Sequence, residues 1–294
     1  MNPAHKKGEA SGNKMETLNL KTTELGTEVT EESNIPQSSQ LEVREGNRVW
    51  GLMNGKQCSF VLDSGTSKTF MFASLAKKLA LDIGQKTDKE IYHLWIGNQK
   101  VEFITLKNVL ITLEGGVNIR TPVRVLSEAL ERCYNLDDVV LDVHLLRRGA
   151  MIQAFWKSGS SLYIGEPTHL LQNSIIKDQD GVPSFWVQRA NAGFTREMSV
   201  ILDTGAENLY LSRHALNVLT DERNESKMPQ RISIDMGDNH CLETEKVEFI
   251  EQEVVDLVMG VHLLHKYNAV VDYGNQTVTF IIRGKRFKIK FYFE

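Results

Sequence analysis

Two stretches of this sequence repeat one another. Phe60-Val61-Leu62-Asp63-Ser64-Gly65 has a counterpart 140 positions further on, Val200-Ile201-Leu202-Asp203-Thr204-Gly205. The same offset carries Ile96-Gly97-Asn98 onto Met236-Gly237-Asp238, so each Asp lies 34 residues before its matching Gly. A third pair, Val139-Val140-Leu141-Asp142-Val143-His144-Leu145-Leu146 and Leu257-Val258-Met259-Gly260-Val261-His262-Leu263-Leu264, is offset by 118. The first copy therefore holds 22 extra residues between its second and third landmarks. Three landmarks in one order describe a duplicated unit of roughly 110 residues, and such a chain must fold as two similar halves. The expected organisation is an arm over residues 1–44, a first lobe over 45–165, a linker over 166–184 and a second lobe over 185–294.

The 294 residues match the two-domain prior of about 150 residues each. Residues 1–44 are rich in Glu, Thr, Ser, Asn and Lys. Such a segment buries too little apolar surface to offset its ordering entropy, so it reads as a disordered arm that folding does not need. Folded character begins at Arg48-Val49-Trp50. Asn54-Gly55 between two apolar runs predicts a tight hairpin, because both residues accept positive φ. A short helix is expected over Ala73–Ala80, then short strands at Val109–Leu113 and Val123–Leu126 around a Gly115-Gly116 turn.

A formal charge of −4 argues against a general nucleic-acid or membrane-surface binder. No apolar run approaches the ~20 residues of a bilayer span. The N-terminus has no apolar core after its lysines, so a secretory leader is not expected. Cys58, Cys133 and Cys241 form neither a disulfide framework nor a zinc motif, which suits a reduced, cytoplasmic compartment.

Each Asp-Ser/Thr-Gly ends an apolar strand, which would hold its carboxylate rigidly. Gly permits the tight turn, and the hydroxyl can bond nearby backbone. A lone triplet of this kind arises by chance on the order of 0.1–0.2 times in such a chain and is usually a turn. Two copies, each behind an apolar strand and each followed by the same Gly, point instead to a paired site. Two loops meeting at a two-fold axis would bring Asp63 and Asp203 together. Like charges that close share one proton. One carboxylate then serves as base toward water while the other, protonated, donates to a carbonyl oxygen, a combination suited to amide hydrolysis.

The segments Leu62-Asp63-Ser64-Gly65-Thr66-Ser67 and Leu202-Asp203-Thr204-Gly205-Ala206 resemble the active-site signature of retropepsins, the aspartic proteases of retroviruses and LTR retroelements. The run from Asp63 to Leu81 is most similar to the Ty3/gypsy branch. Val258-Met259-Gly260 and the residues after it continue the likeness. The resemblance implies an all-β fold of two acid-protease β-barrel lobes forming a pseudo-dimer, with a short helix in each lobe. It implies catalytic Asp63 and Asp203 in active-site loops completed by Ser64, Gly65, Thr66, Thr204, Gly205 and Ala206. It places Trp95, Ile96 and Gly97, and Met236 and Gly237, at the tips of two flaps that close over an extended peptide or polyprotein. It implies no cofactor, no metal, no nucleic acid and no membrane. One chain would supply both halves as a monomer. Two departures stand out: Asp142 replaces the expected Gly in the first copy, and the second lacks a hairpin retained in the first as residues 107–126.

Other features have plainer readings. His262 and His265 are three apart on a predicted helix, but no third ligand stands at a recognised spacing. His144 and His262 occupy equivalent repeat positions, which suggests packing. The basic, aromatic C-terminus could trail along a nucleic-acid strand. Its period-two alternation from Lys288 favours a half-buried strand with a charged outer face. Cys58 reads as a small buried residue. A single-chain aspartic endopeptidase is the first functional expectation. A retroelement-derived peptide- or protein-binding module without turnover is the second.

Overall fold

A computed structural model describes residues 15–20, 40–44, 47–83, 89–94, 99–127, 130, 137–164, 181–191, 194–220, 228–237, 239–251 and 255–293. The fold is all-β, with two barrel-like sheets, a third sheet joining them and a few short helices. Asn54 and Gly55 both take positive φ, 51° and 74°, and the strands Arg48–Met53 and Lys56–Leu62 pair through Met53 and Lys56 as a two-residue hairpin requires. Gly115 and Gly116 likewise turn the chain at positive φ between Gln99–Leu113 and Val117–Leu126. Helix α1 spans Ala73–Lys78.

The first half is a seven-stranded sheet closed on itself where Arg48–Met53 pairs with Gln99–Leu113. The second half is a nine-stranded sheet. Its inner strands repeat the first half's pairings. Phe60, Val61 and Leu62 run parallel to Val139, Val140 and Leu141, as Val200, Ile201 and Leu202 do to Leu257, Val258 and Met259. A helix follows each of these partner strands, α2 at Val143–Arg148 and α4 at Val261–Lys266, with α3 at Arg213–Thr220 between them in sequence.

A six-stranded sheet between the halves takes strands from both. In order these are Gln40–Val43, Gly159–Tyr163, Ile152–Trp156, Val270–Asp272, Thr277–Ile282 and Lys285–Lys290. At its centre the two halves exchange equivalent hydrogen bonds: Tyr273 N–H to Met151 O at 3.1 Å, and Phe155 N–H to Ala269 O at 2.8 Å. The strand Lys285–Lys290 forms its edge, with Phe287 and Ile289 buried, as the alternation predicts.

The arm is where the expectation fails. Met15–Leu20 is a strand of the second half's sheet, parallel to Arg231–Asp235 and antiparallel to Pro183–Asn191. Gln40–Val43 pairs with Gly159–Tyr163. Leu18, Leu20, Leu41 and Val43 are all buried, and buried Glu16 accepts from Arg189 at 3.0 Å. Two short alternating stretches thus reach a core that the segment's average composition hides. The rest of the arm lies outside the described residues. So does most of the expected linker, whose last two residues already belong to the strand Pro183–Asn191.

The missing hairpin explains why the second half takes up Met15–Leu20. Only Glu245 and Lys246 separate Cys241–Thr244 from Val247–Phe249, where the first half runs on through residues 107–126. In the first half the edge of Arg48–Met53 is covered by that hairpin. In the second the corresponding strand, Pro183–Asn191, is covered by Met15–Leu20 through Asn19↔Gln188 and Leu20↔Val187. An unpaired apolar edge would otherwise remain.

Candidate active site

Asp63 and Asp203 stand where the inner strands stop, and each is fixed by the same two bonds. Asp63 N–H donates to Leu141 O at 3.1 Å and Asp203 N–H to Met259 O at 3.0 Å. Beyond the aspartates, Val143 N–H donates to Thr66 O at 3.1 Å and Val261 N–H to Ala206 O at 2.9 Å. The partner strand and its helix therefore clamp both ends of each loop.

The loops then clasp one another across the two-fold. Ser64 Oγ donates to Leu202 O at 2.7 Å and accepts from Thr204 N–H at 2.9 Å. Thr204 Oγ1 donates to Leu62 O at 3.0 Å and accepts from Ser64 N–H at 3.1 Å. Both hydroxyls are buried, so all four bonds are shielded from competing water. This assigns a task to the Ser/Thr of each triplet: it ties the opposite half.

The glycines let the carboxyls meet. A Cβ on Gly205 would lie 2.6 Å from Asp63 Cγ, and one on Gly65 would collide with the Asp203 carboxyl. Each carboxyl thus rests over the other half's Gly, which sets the two aspartates side by side. Asp63 Oδ1 accepts from Gly65 N–H at 2.9 Å, and Asp203 Oδ1 from Gly205 N–H at 2.8 Å and Ala206 N–H at 3.1 Å. Desolvation raises both pKa values. Asp63 is pushed well above the ordinary carboxyl range, with the charge of Asp203 and then that of Asp142 adding to it. Asp203 rises too, held back by the hydrogen bonds it accepts. Such a pair shares one proton.

Beneath the clasp lies a polar chain that sequence reading did not find. Asn47 Nδ2 donates to Leu62 O and, at 3.0 Å, to Thr204 O. Its Oδ1 accepts from Gln153 Nε2, and Gln153 Oε1 accepts from Tyr273 O–H at 3.1 Å. Tyr273 is fully buried beside Ser64 and Thr204, and burial pushes its phenol far up, so it stays a neutral donor. The corresponding aromatic of the first half is Phe155, which has no hydroxyl. These residues are more than a hundred positions apart, and no local motif marks them. The one sign is Asn47 at φ 59°, immediately before a strand.

Asp142 is accommodated rather than disruptive. It caps helix α2, accepting from His144 N–H at 2.8 Å, Leu145 N–H at 3.0 Å and Thr69 Oγ1 at 2.5 Å. Its counterpart has no such room. A Cβ on Gly260 would lie 2.5 Å from Asn208 O and 2.6 Å from Ala206 O. The first loop runs one residue longer from its Asp to its next strand (Phe70–Phe72, against Leu209–Leu211), and this makes the space.

The expected flap residues divide. Lys89–Leu94 and Gln99–Leu113 form a hairpin closed by Leu94↔Gln99, but Trp95, Ile96 and Gly97 at its tip lie outside the described residues. Met236 is buried in the main core. The turn it begins, closed by His240 N–H to Gly237 O at 2.9 Å, brings the His240 ring to 4.9 Å from that of Phe287 in the inter-half sheet. Met236 thus points into the core of the second half, while Gly237, at φ 85°, is exposed in the turn between Arg231–Asp235 and Cys241–Thr244.

His265 lies on Phe155 and meets Trp156 O through Nδ1 at 2.8 Å; His262 is partly exposed. Cys58 is buried, its thiol pushed up to about 11 chiefly by desolvation, and Cys133 lies outside the described residues. A cavity of about 710 Å³ opens beside the second loop, between Gly205, Ala206 and Glu207 on one side and Arg44, Asn47 and Val61 on the other. No helix among the described residues is long and apolar enough to cross a membrane.

Residues 49–133 match the model of a family described as aspartyl protease. No curated protein matches the chain. Among solved structures, the retroviral protease-like domain of Ddi1 from Leishmania major is similar at 17% identity. That match covers 35% of this chain and 77% of the other, and its TM-score of 0.28 is too low to bear on the reading.

Proposed function

We propose that this chain is a single-chain aspartic endopeptidase of retropepsin type, two fused units of Ty3/gypsy-like ancestry that act as a monomer on an extended peptide. The reciprocal clasp of Ser64 and Thr204, which holds Asp63 and Asp203 side by side, carries this reading. The protonated carboxyl donates to the scissile carbonyl oxygen while the ionised one takes a proton from water. The water oxygen bonds to the carbonyl carbon. The resulting tetrahedral intermediate then loses the amine, which leaves with the proton the base had taken. No step needs a covalent enzyme intermediate or a metal. Main-chain pairing along the first half's hairpin would give affinity, and side-chain pockets such as the one beside Ala206 would give selectivity.

One observation favours a second reading, a peptide-binding module without turnover. The second half is shortened directly after its hairpin, where only Glu245 and Lys246 join Cys241–Thr244 to Val247–Phe249. Incubating purified protein with a peptide library in mildly acidic buffer, beside Asp63→Asn and Asp203→Asn controls, separates the two. Cleavage lost in both variants supports the peptidase. Binding without cleavage by the wild type supports the module.

A further inference from the structure

We infer that Asp142 is a positioning residue that fixes the proton of the carboxyl pair on Asp63, leaving Asp203 as the ionised partner. The consequence for catalysis, Asp63 as acid and Asp203 as base, rests on the peptidase reading. The location of the proton does not.

Two asymmetries of geometry point the same way. The first is a buried charge present in one half only. Asp142 is 6% exposed; its own N–H donates to Thr69 Oγ1 at 3.2 Å, so that hydroxyl turns its proton to the Asp142 carboxylate, which accepts three hydrogen bonds in all. It follows Leu141, whose carbonyl holds the Asp63 amide, and its partner Thr69 belongs to the loop that Asp63 opens. The equivalent position beside Asp203 is Gly260, which carries nothing. A negative charge on one side disfavours ionisation of the nearer aspartate. The second asymmetry is in the donors. Asp203 Oδ1 accepts two backbone N–H groups, from Gly205 and Ala206, and Asp63 Oδ1 accepts one, from Gly65. Hydrogen bonds to the charged form favour it.

The remaining charges do not reverse the balance. Tyr273 lies beneath both aspartates as a neutral phenol. Behind Asp142, the His144 ring is buried, and desolvation lowers its pKa below the ordinary imidazole value, against the pull of Asp142. Lys68, Arg147 and Arg148 surround that ring, but all three are partly exposed, and Arg147 sits 4.5 Å over Phe293. On the second side Glu207 and Glu248 are exposed. Solvent and salt screen exposed charges more than the buried Asp142.

Full-length protein with ¹³Cγ-labelled aspartate, titrated by NMR, tests this without any substrate. Asp63→Asn and Asp203→Asn assign the two signals. Asp63 is expected to keep its proton to the higher pH. Asp142→Asn and Asp142→Ser, the second of which retains a good helix cap, should lower the Asp63 midpoint by on the order of half to one unit. A proton held by Asp203, or an Asp63 midpoint unmoved in whichever Asp142 variant is folded by near-ultraviolet dichroism, overturns the inference. In the same variants the alkaline limb of the peptide-hydrolysis profile should move down with the Asp63 midpoint. A wild type that cleaves nothing overturns the peptidase reading, while the titration still decides where the proton sits.

Discussion

The two halves reach one site geometry by different means. The first closes its own sheet with a long hairpin, gives the helix after its inner strand an Asp cap and keeps a second hairpin beside the cleft. The second is about twenty residues shorter, covers the exposed edge with the strand Met15–Leu20, and has Gly260 where a side chain would strike backbone. What they share is confined to the inner strands, the Asp loops and the bonds that clamp them. The site thus depends on a small conserved geometry inside each half, and the material around it is free to differ.

If the aspartates form one working unit, the difference between halves should vanish at the dyad. Asp63→Asn and Asp203→Asn should each lower peptide turnover by about 10³-fold or more, measured as kcat/KM, because neither acid nor base functions alone. Substantial activity left in one variant only would mean that one half does the chemistry and the other supports it.

The borrowed strand should matter to stability as a core strand does. Removing residues 1–20 exposes the slots of Leu18 and Leu20 and leaves Arg189 without Glu16. Burial of two leucines at ~1.5–3 kcal/mol each predicts a Tm lower by about 10 °C. An unchanged melting curve would show that the second half closes without help.

The helix-cap positions set the halves against each other more finely. Gly260→Ala forces a methyl into the carbonyls of Ala206 and Asn208 and should cost about 1–3 kcal/mol in denaturant unfolding. Asp142→Ala removes a cap and should cost about 1 kcal/mol. Equal costs would mean that the extra residue of the first loop is not what makes room for Asp142.

The smallest effect concerns pH. Raised carboxyl pKa values stabilise the folded state below the unfolded value of about 3.9, and that stability is lost as pH rises through the folded values. Asp63→Asn should therefore raise Tm modestly at pH 7, with the gain shrinking toward pH 4. A variant less stable than wild type at neutral pH would show that the pair is not strained there.

Much of this architecture is legible in the sequence, because it is encoded locally. Asn54-Gly55 dictates its turn, the alternation from Lys288 dictates an edge strand, and the two triplets dictate a pair. Met15–Leu20 and Gln40–Val43 were hidden because two or three buried residues in a polar stretch are outweighed in any average over the segment. Asp142 looked like an intrusion because the room it needs is made by the spacing of another loop. Asn47, Gln153 and Tyr273 meet only through the fold.

The six-stranded sheet between the halves has a consequence for the order of synthesis. It joins Gln40–Val43 to Lys285–Lys290, which is made long after it, and the Asp203 amide is held by Met259. A chain still on the ribosome can finish the first half, whose contacts close within residues 48–141. It holds one aspartate of the pair until Met259 has been made and the second half can close. Partners so distant in sequence also come together slowly. The carboxyl pair therefore forms only after both halves have been synthesised.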